Sequence, residues 1–390
     1  MIPTIRVQIA LGVLCLATFG CSQSSLQPSK EQGEAVRHCL GVLRFTNMKE
    51  CVEAKTKQLL AVKEAEGVRA GQRSTQAQTR RPDQKVKALV IDPNDSGTIY
   101  AGTLDQGMLK SNDGGQSWVQ MNGWIPNDVK YQGEPATPAV TFLVIDPVTP
   151  RTVYVGADNG MYKTTDGGVS WKTLFHGRSG VIAIDGNATS YQAPGTLYFG
   201  RLGAIQKTTD GGHSWTTANT GRGSATVSLA LDPQRPNTIY AGVTGEGMYK
   251  TTDSGGHWKQ ILGNGTPKTI VVDQLDSNIV YTGTSRGLFK TTDGGENWLP
   301  IGNGIPESHQ PNIKALILSP KEPNVIYAMT NHTIHKSING GENWKTLEHN
   351  MTGSFAMQFS AIGVDPSSHS IYVGSWGGVF RINDDDSAPN

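Results

Sequence analysis

Carboxylates at a repeated spacing are the first residues in this sequence that could do chemistry. Five Asp residues stand two positions after a Ser or Thr and two before a Gly, with a Trp three positions further on; a sixth copy has Asn. The six acceptors are Asp113, Asp166, Asp210, Asp253, Asp293 and Asn339, followed by Trp118, Trp171, Trp215, Trp258, Trp298 and Trp344. Such carboxylates could act as general acids or bases, or they could accept backbone N–H bonds in a tight turn.

We interpret the repeated carboxylates as parts of turns. In "TTDGGVSW" from Thr164 to Trp171, the Asp can accept backbone N–H bonds, and the Gly can supply a positive φ. The Trp then covers the hairpin with a large apolar surface. One catalytic mechanism does not need five equivalent acids, so we expect these residues to hold hairpins rather than to react with a substrate.

The elements that must position these turns recur every 40 to 50 residues, which is the period of a propeller blade. Each unit has an apolar run such as "VKALVIDP", then a β-branched and aromatic run such as "TIYAGT", then a run of the "GMYKTT" type, and a short strand after the Trp. Seven units are counted by the basic residue of the third run, which is Lys110, Lys163, Lys207, Lys250, Lys290, Lys336 and Arg381. The sequence predicts an all-β, seven-bladed propeller over residues 86–390.

The last unit departs from this pattern. It ends at "GGVFRINDDDSAPN", without the glycine turn and without the Trp. We therefore expect its outer strand to be missing or to come from another part of the chain.

The spacing S/T-x-D-x-G-x-x-W resembles the Asp-box, or BNR, repeat. The repeated "GxxK-TTDGGxxW" pattern and Arg286-Gly287 before one copy make the chain similar to the single-propeller exported proteins related to photosystem II assembly and stability factors. This resemblance implies a non-catalytic role in binding or assembling other proteins.

A second resemblance leaves an enzyme open, because Asp-box repeats also occur in sialidases and in xyloglucanase-type glycoside hydrolases. Hydrolysis would need two carboxylates across the scissile bond, and Asp105, Asp158 and Glu246 are available. Xyloglucanase-type enzymes use two tandem propellers, however, whereas we count seven units. Sialidases use an arginine triad and an early Phe/Tyr-Arg-Ile-Pro segment, which this sequence does not contain.

A binding face is predicted where the loops between second and third strands meet the links between blades. Four arginines fall in these loops of units two to five and could bind carboxylates: Arg178, Arg201, Arg222 and Arg286. Three aromatic residues, Trp124, Tyr131 and Trp376, could be contact residues of an interface, or they could be buried cover.

The N-terminus is typical of an export signal, with Arg6 followed by an apolar stretch to Phe19. Gly20-Cys21 resembles the cleavage site of bacterial lipoproteins, which implies a signal peptide over 1–20, lipid on Cys21 and an outer-membrane or periplasmic location. Ordinary signal-peptidase cleavage nearby is the alternative.

Between the signal and the repeats, residues 21–67 are rich in helix formers and predict a helical hairpin. Cys39 and Cys51 form an even pair in an oxidising compartment, so a disulfide is expected. Residues 68–85 lack apolar periodicity and are interpreted as a linker.

The formal charge of +1 and the lack of a long basic block exclude a typical nucleic-acid binder. We find no motif for a cofactor or a catalytic metal. The sequence predicts an exported, lipid-anchored propeller that serves as a protein-binding scaffold at the cell envelope, with a glycan-cleaving hydrolase as the alternative.

Overall fold

The computed structural model of the chain describes residues 85–125, 130–131, 134–135, 137–177, 180–184, 196–218, 223–263, 265–306, 313–320, 322, 324–347, 358–368 and 370–384. The predicted signal peptide, lipidation at Cys21, helical hairpin with Cys39 and Cys51, and most of the linker lie outside these residues. Within the described ranges every regular element is a strand. No helix long and apolar enough to cross a membrane occurs in that part of the chain.

The strands form the seven-bladed propeller that the repeats predict. Blade 1 consists of β1 (Val86–Asp92), β2 (Asp95–Thr103), β3 (Met108–Ser111) and β4 (Val119–Gln120). A small hairpin of β5 (Lys130–Tyr131) and β6 (Glu134–Pro135) follows it. Blade 2 consists of β7 (Val140–Ile145), β8 (Val153–Ala157), β9 (Gly160–Thr164) and β10 (Lys172–His176). Blade 3 consists of β11 (Val181–Ile184), β12 (Leu197–Arg201), β13 (Ala204–Thr208) and β14 (Thr216–Thr217). Blade 4 consists of β15 (Thr226–Leu231), β16 (Ile239–Val243), β17 (Gly247–Thr251) and β18 (Lys259–Gly263).

The remaining blades complete the ring. Blade 5 contains β19 (Pro267–Val272), β20 (Val280–Thr284), β21 (Gly287–Thr291) and β22 (Leu299–Pro300), and blade 6 contains β23 (Ala315–Leu318), β24 (Ile326–Met329), β25 (Ile334–Ser337) and β26 (Lys345–Leu347). Blade 7 contains β27 (Phe359–Val364), β28 (Ser370–Ser375) and β29 (Gly378–Asn383).

Neighbouring strands within each blade are antiparallel and follow chain order. The first strands of all seven blades contact one another in a closed circle, from β1 through β7, β11, β15, β19, β23 and β27 back to β1. These strands are therefore the inner wall of the ring, and the short fourth strands lie at its periphery.

The apolar core lies between successive blades. One cluster joins Met108 of blade 1 to Val153 of blade 2, and another joins Leu288 of blade 5 to Ile326 of blade 6. The second strand of each blade is buried over most or all of its length, which explains its β-branched and aromatic composition. Burial on both faces of the blades thus fixes their stacking around the axis.

The second strand of each blade contains a buried tyrosine, which lies beside the basic residue of that blade's third strand. Lys110, Lys163, Lys207, Lys250, Lys290 and Arg381 lie 5.2 to 5.7 Å from the ring centres of Tyr100, Tyr154, Tyr198, Tyr240, Tyr281 and Tyr372. Burial raises the pKa of Tyr100 to about 12, and desolvation lowers that of Lys110. Each pair combines a cation–π contact with an apolar ring in the core.

These basic residues also connect each blade to the next one. Four lysine ammonium groups donate to the carbonyl of the first glycine in the following blade's turn, at 2.8 to 3.5 Å: Lys110 to Gly167, Lys163 to Gly211, Lys250 to Gly294 and Lys290 to Gly340. From blade 7 to blade 1, the Tyr372 hydroxyl donates to the Gly114 carbonyl at 3.3 Å. The lysine that marks each unit in the sequence is thus also a contact between blades.

The six turns from the Ser or Thr to the Trp, here called the tryptophan turns, join the third strand of a blade to the fourth. In blade 2, the Thr164 hydroxyl donates to one carboxylate oxygen of Asp166 at 2.7 Å, and the backbone N–H of Ser170 donates to the same oxygen at 2.9 Å. The Thr164 hydroxyl in turn accepts the Gly168 N–H at 2.9 Å. In blade 6 the side-chain oxygen of Asn339 accepts the corresponding pair of bonds at 2.9 and 3.0 Å.

The tryptophans of these turns reach the preceding blade as well as their own hairpin. The indole N–H of Trp258 donates to the Ala218 carbonyl in blade 3 at 3.1 Å, and that of Trp344 donates to the Ile301 carbonyl in blade 5 at 2.5 Å. Covering the hairpin, which we expected from the sequence, is therefore only part of their contact surface. The turns bind one blade to the next.

Blade 7 has three strands among the described residues, which agrees with the missing turn in its sequence. In four other pairs of blades, the lysine of one blade donates to a glycine carbonyl in the turn of the next. Blade 7 has no such turn after β29, and Asp384 takes the place of the glycine carbonyl. Its carboxylate lies 2.8 Å from the Lys336 ammonium group of blade 6 and accepts the Tyr327 hydroxyl at 2.5 Å. The side chains of Lys336 and Asp384 are only 6% and 2% exposed, so this ion pair is buried.

Candidate binding face

The propeller has two faces with different loops. The lower face carries the tryptophan turns and the turns between first and second strands. The upper face carries the loops between second and third strands and the links between blades. Five candidate residues fall on or beside these upper loops: Asp105, Asp158, Arg201, Arg286 and Trp376.

A small cavity lies on the upper face where blades 4 and 5 meet. It has a volume of about 170 Å³, and its lining includes Gly247, Leu262, Pro267, Thr284, Arg286 and Phe289. Gly247 has a φ of 112°, and a Cβ there would lie 2.0 Å from the Leu262 carbonyl oxygen. Only glycine allows β17 and β18 to approach this closely beside the cavity.

Arg286 supplies the cationic group at this cavity. The residue is exposed, and its backbone N–H donates to the Thr284 hydroxyl at 2.9 Å, which fixes the short loop between β20 and β21. An exposed guanidinium beside an apolar cavity can bind a carboxylate through two parallel hydrogen bonds. The cavity can therefore accept an apolar group that has an acidic group next to it.

Arg201 forms a second cationic position on the same face. It ends β12 and is half-buried, and its guanidinium lies 5.0 Å from the ring centre of Phe175 in blade 2. Its Nε is buried without a hydrogen-bond partner among the residues that the structure describes. Phe175 also packs against Phe199 at 5.5 Å, so stacked aromatic rings hold Arg201 in place.

The three aromatic candidates have different positions. Trp376 is 36% exposed, and the Lys85 ammonium group lies 5.4 Å from its ring centre. Trp124 is only 4% exposed and packs against Tyr162 at 4.8 Å, in the core between blades 1 and 2. Buried cover is therefore the correct interpretation of Trp124, and its place among the binding-face candidates was wrong.

One exposed apolar residue of this face was missed. Leu202 follows Arg201 directly and is 78% exposed, in a loop held by the backbone bond from Gly203 to Ser224. An apolar residue between an arginine and a glycine in a short loop was the available signal. The sequence alone could not show that no neighbouring blade covers it.

Three of the predicted candidates cannot be placed. Arg178 and Arg222 lie outside the described residues, and Tyr131 is described only as part of β5, without its side chain. The proposed cluster of four arginines thus has two described members, Arg201 and Arg286, on blades 3 and 5.

The carboxylates considered for hydrolysis lie on separate blades. Asp105 of blade 1 and Asp158 of blade 2 are exposed, and Glu246 of blade 4 is half-buried and accepts the Tyr249 hydroxyl at 3.1 Å. In the part of the chain that the structure describes, no group of three or more His, Cys, Asp or Glu residues could hold a metal ion.

The carboxylates of the tryptophan turns are ionised acceptors. Bonds from the Ser117 hydroxyl, the Ser117 N–H and the Ser111 hydroxyl lower the pKa of Asp113 to about 2. Equivalent bonds lower the pKa of Asp166, Asp210, Asp253 and Asp293 below the usual range of Asp. Groups with such low pKa values are poor proton donors at neutral pH, which fits a role in holding the turns.

Comparison with known proteins supports the fold. No family model matches the chain. A probable oligoxyloglucan-reducing end-specific xyloglucanase of Neosartorya fischeri is 31% identical over 88 residues, which cover 22% of this chain and 10% of that protein. The chain thus spans about a tenth of the length of this curated relative.

Solved structures align over most of the described part. A xyloglucanase of Xanthomonas campestris superposes with a TM-score of 0.65 at 18% identity, covering 81% of this chain and 55% of that chain. YCF48 bound to a D1 peptide superposes with a TM-score of 0.58 at 16% identity, covering 81% and 97%. At these identities the likeness shows the fold alone, and the chain shares its propeller with both an enzyme and a peptide-bound protein.

Proposed function

We propose that this protein is an exported, non-catalytic propeller whose upper face binds a segment of a partner protein at the cell envelope. The cavity beside Arg286 carries the proposal. Its volume of about 170 Å³ is smaller than the several hundred Å³ of ordinary small-molecule sites and suits one side chain. Arg286 would then bind a carboxylate of the same segment.

The rest of the face supports a protein partner. Leu202 and Trp376 are exposed apolar residues, and Arg201 lies next to one of them. Apolar and aromatic residues beside arginine are typical of the contact centres of protein interfaces. The neighbour YCF48, whose structure contains a D1 peptide, has the same fold and offers a precedent for peptide binding.

The finer placement of the chain is part of the proposal. The tryptophan turns match the Asp-box, or BNR, pattern, and we assign the protein to the photosystem II assembly factor-like group of exported propellers for its binding role only. Export would depend on the signal peptide over 1–20 and on lipid attached to Cys21. Incorporation of labelled palmitate that disappears in Cys21→Ala tests the anchor, and an unlabelled native protein would contradict it.

Cavity-blocking variants test the proposed binding site. Gly265 lines the cavity with an ordinary backbone, and a Cβ there would have its nearest contacts at 3.7 Å, so Gly265→Leu fills the space without backbone strain. Gly123 lies in the link between blades 1 and 2, where a Cβ would likewise have its nearest contact at 3.7 Å. Gly123→Leu is therefore a matched control in another link between blades.

The experiment is affinity capture of a partner from native cell-envelope extract, followed by a binding titration with the purified partner. We expect Gly265→Leu and Arg286→Ala to weaken binding and Gly123→Leu to leave it unchanged. Equal binding by all three folded variants would overturn the proposed site. Failure of the native protein to retain any envelope protein would overturn the scaffold function.

A glycoside hydrolase is the second candidate, because the curated relative is a xyloglucanase. Asp105, Asp158 and Glu246 would be its acid and base candidates. A screen against xyloglucan oligosaccharides and sialosides tests it. Hydrolysis that is lost in Asp105→Asn, Asp158→Asn or Glu246→Gln would establish an enzyme and refute the non-catalytic proposal.

A further inference from the structure

Two lysines stand at equivalent irregular positions of the inner wall. The pairing of β1 with β2 shifts register between Val86 and Ala88, and the pairing of β19 with β20 shifts between Pro267 and Thr269. Lys87 lies within the first of these register shifts, and Lys268 lies within the second. Each is exposed while the residue before it is buried, so both side chains leave the blade at the start of its innermost strand.

A third lysine occupies the same position in blade 6. Lys314 precedes β23, and its backbone N–H donates to the Met329 carbonyl at 2.8 Å. Its ammonium group reaches the next blade and donates to the Phe359 carbonyl at 2.7 Å. In blade 7 the equivalent residue is Ser360, at the register shift between Phe359 and Ala361. Blades 5, 6, 7 and 1 thus place three lysines and one serine around the inner wall.

The positive charges of Lys87 and Lys268 reach Lys314. The pKa of Lys314 is lowered by desolvation and then by the positive charges of Lys87 and Lys268. Mutual repulsion of this kind is relieved when an anion binds between the groups. The first strands of blades 5, 6, 7 and 1 follow one another in the closed inner circle, so the three lysines lie along one continuous stretch of the channel wall.

The equivalent positions of blades 2 and 4 are uncharged. The register shift of blade 2 leaves Thr141, whose hydroxyl donates to the Gly156 carbonyl, and that of blade 4 leaves Val227. The positive charge is therefore concentrated on one side of the channel. The propeller fold therefore does not require a lysine at this position.

We propose that Lys87, Lys268 and Lys314 form a binding site for a tetrahedral oxyanion, a phosphate or sulfate group, at the upper mouth of the central channel. Lysine is a compact point charge that suits a multiply charged, nearly spherical anion, whereas arginine suits planar carboxylates. Arg201 and Arg286 in the upper loops thus suit a different ligand from the lysines of the channel.

The test is calorimetric titration of the purified full-length protein with inorganic phosphate, inorganic sulfate and glycerol 3-phosphate, at constant ionic strength maintained with chloride. The channel variant is Lys87→Gln, Lys268→Gln and Lys314→Gln combined. The matched control is Lys172→Gln, Lys259→Gln and Lys345→Gln, which removes three exposed lysines from the first positions of β10, β18 and β26. Both variants lose the same charge, so nonspecific electrostatic effects are equal.

We expect one saturable phosphate site in the native protein and in the control, and binding weaker by about tenfold or more in the channel variant. Equal binding of glycerol 3-phosphate would indicate a phosphate group carried by a larger molecule, and binding of the inorganic ions alone would indicate a free anion. No saturable binding by the native protein, or equal binding by the channel variant, would overturn the proposal. A polyglutamate peptide that binds through these lysines while phosphate does not would also overturn it.

Discussion

At the scale of single residues, the acceptor in each tryptophan turn matters through its geometry as well as its charge. Asp166 accepts two bonds at one oxygen and the Ser170 hydroxyl at the other, at 2.5 Å. Asn339 keeps the bonds to a single oxygen with a neutral amide. The turn therefore needs an acceptor oxygen first, and the negative charge strengthens the bonds.

Substitutions of Asp166 separate these two contributions. We expect Asp166→Ala to lower the thermal unfolding midpoint, because it leaves the Thr164 hydroxyl and the Ser170 N–H without their acceptor. Asp166→Asn should lower the midpoint less. Partner binding on the opposite face should persist in both folded variants. Equal midpoints for Asp166→Ala and the native protein would refute a structural role of this carboxylate.

Acid should weaken the fold through the same carboxylates. Their pKa values in the folded state are depressed, so their stabilising contribution is complete above the unfolded-state pKa of about 4. It is lost as the pH falls through the folded-state values, which is about 2 for Asp113. Thermal unfolding midpoints should therefore fall from about pH 4 to about pH 2. Asp113→Asn should show a smaller fall, and an identical acid profile would contradict this assignment.

At the scale of the elements, the tryptophan turns of blades 2 to 6 fit against the fourth strand of the blade before, or against the residue that follows that strand. A Cβ on Gly255 would lie 2.6 Å from the Cβ of Ala218, and one on Gly295 would lie 2.7 Å from the Cδ1 of Ile261. The turn of blade 1 meets blade 7, which has no described fourth strand. There a Cβ on Gly115 would have its nearest contact at 3.6 Å, with the ring of its own Trp118.

This difference predicts unequal costs for the same substitution. Gly115 and Gly255 have φ values of 82° and 95°, so an alanine at either position pays about 1 to 3 kcal/mol for backbone strain. Gly255→Ala should lose about a further 1 to 3 kcal/mol, because it overpacks the contact with Ala218. Chemical denaturation of both variants measures the difference. Equal losses would show that the turns do not depend on the preceding blade.

The repeats were sufficient to predict the seven blades, because the strand-forming composition of "TIYAGT" and "GMYKTT" is a property of each run by itself. The burial of Trp124 was not predictable, since it depends on a neighbouring blade rather than on its own loop. The channel position of Lys87 depends on a one-residue register shift that leaves no mark in the sequence. The acidic tail likewise did not indicate which of its residues would be buried.

At the scale of the whole molecule, the ring closes without a blade shared between the two ends of the described chain. The Ser96 hydroxyl of blade 1 bonds to Asp365 and Ser367 of blade 7, and β1 packs directly against β27. On the other side of blade 7, the buried pair of Lys336 and Asp384 takes the place of a turn contact. Blade 7 is thus held by specific polar contacts on both sides.

Removal of one partner of this buried pair should be costly. Asp384→Ala leaves the Lys336 ammonium group without its carboxylate, and we expect a loss of about 3 to 5 kcal/mol in the free energy of unfolding. The double variant Lys336→Met with Asp384→Leu removes both charges and should recover most of that loss. Denaturant titration of both variants measures this. A double variant as unstable as Asp384→Ala would show that the ion pair is not the cause.

The contact between Lys336 and Asp384 also bears on how such a ring could change its number of blades. The same lysine-to-glycine bond joins four pairs of neighbouring blades: 1 with 2, 2 with 3, 4 with 5, and 5 with 6. A duplicated blade inserted among them would therefore find compatible partners on both sides. Asp384 interrupts that series, because it satisfies the last lysine from within a blade that has no turn to offer. Gain of a blade at this point would require Asp384 to be replaced by a complete turn, whereas duplication elsewhere would not. Asp384 thus makes the junction of blades 6 and 7 chemically different from the four junctions that use a glycine carbonyl.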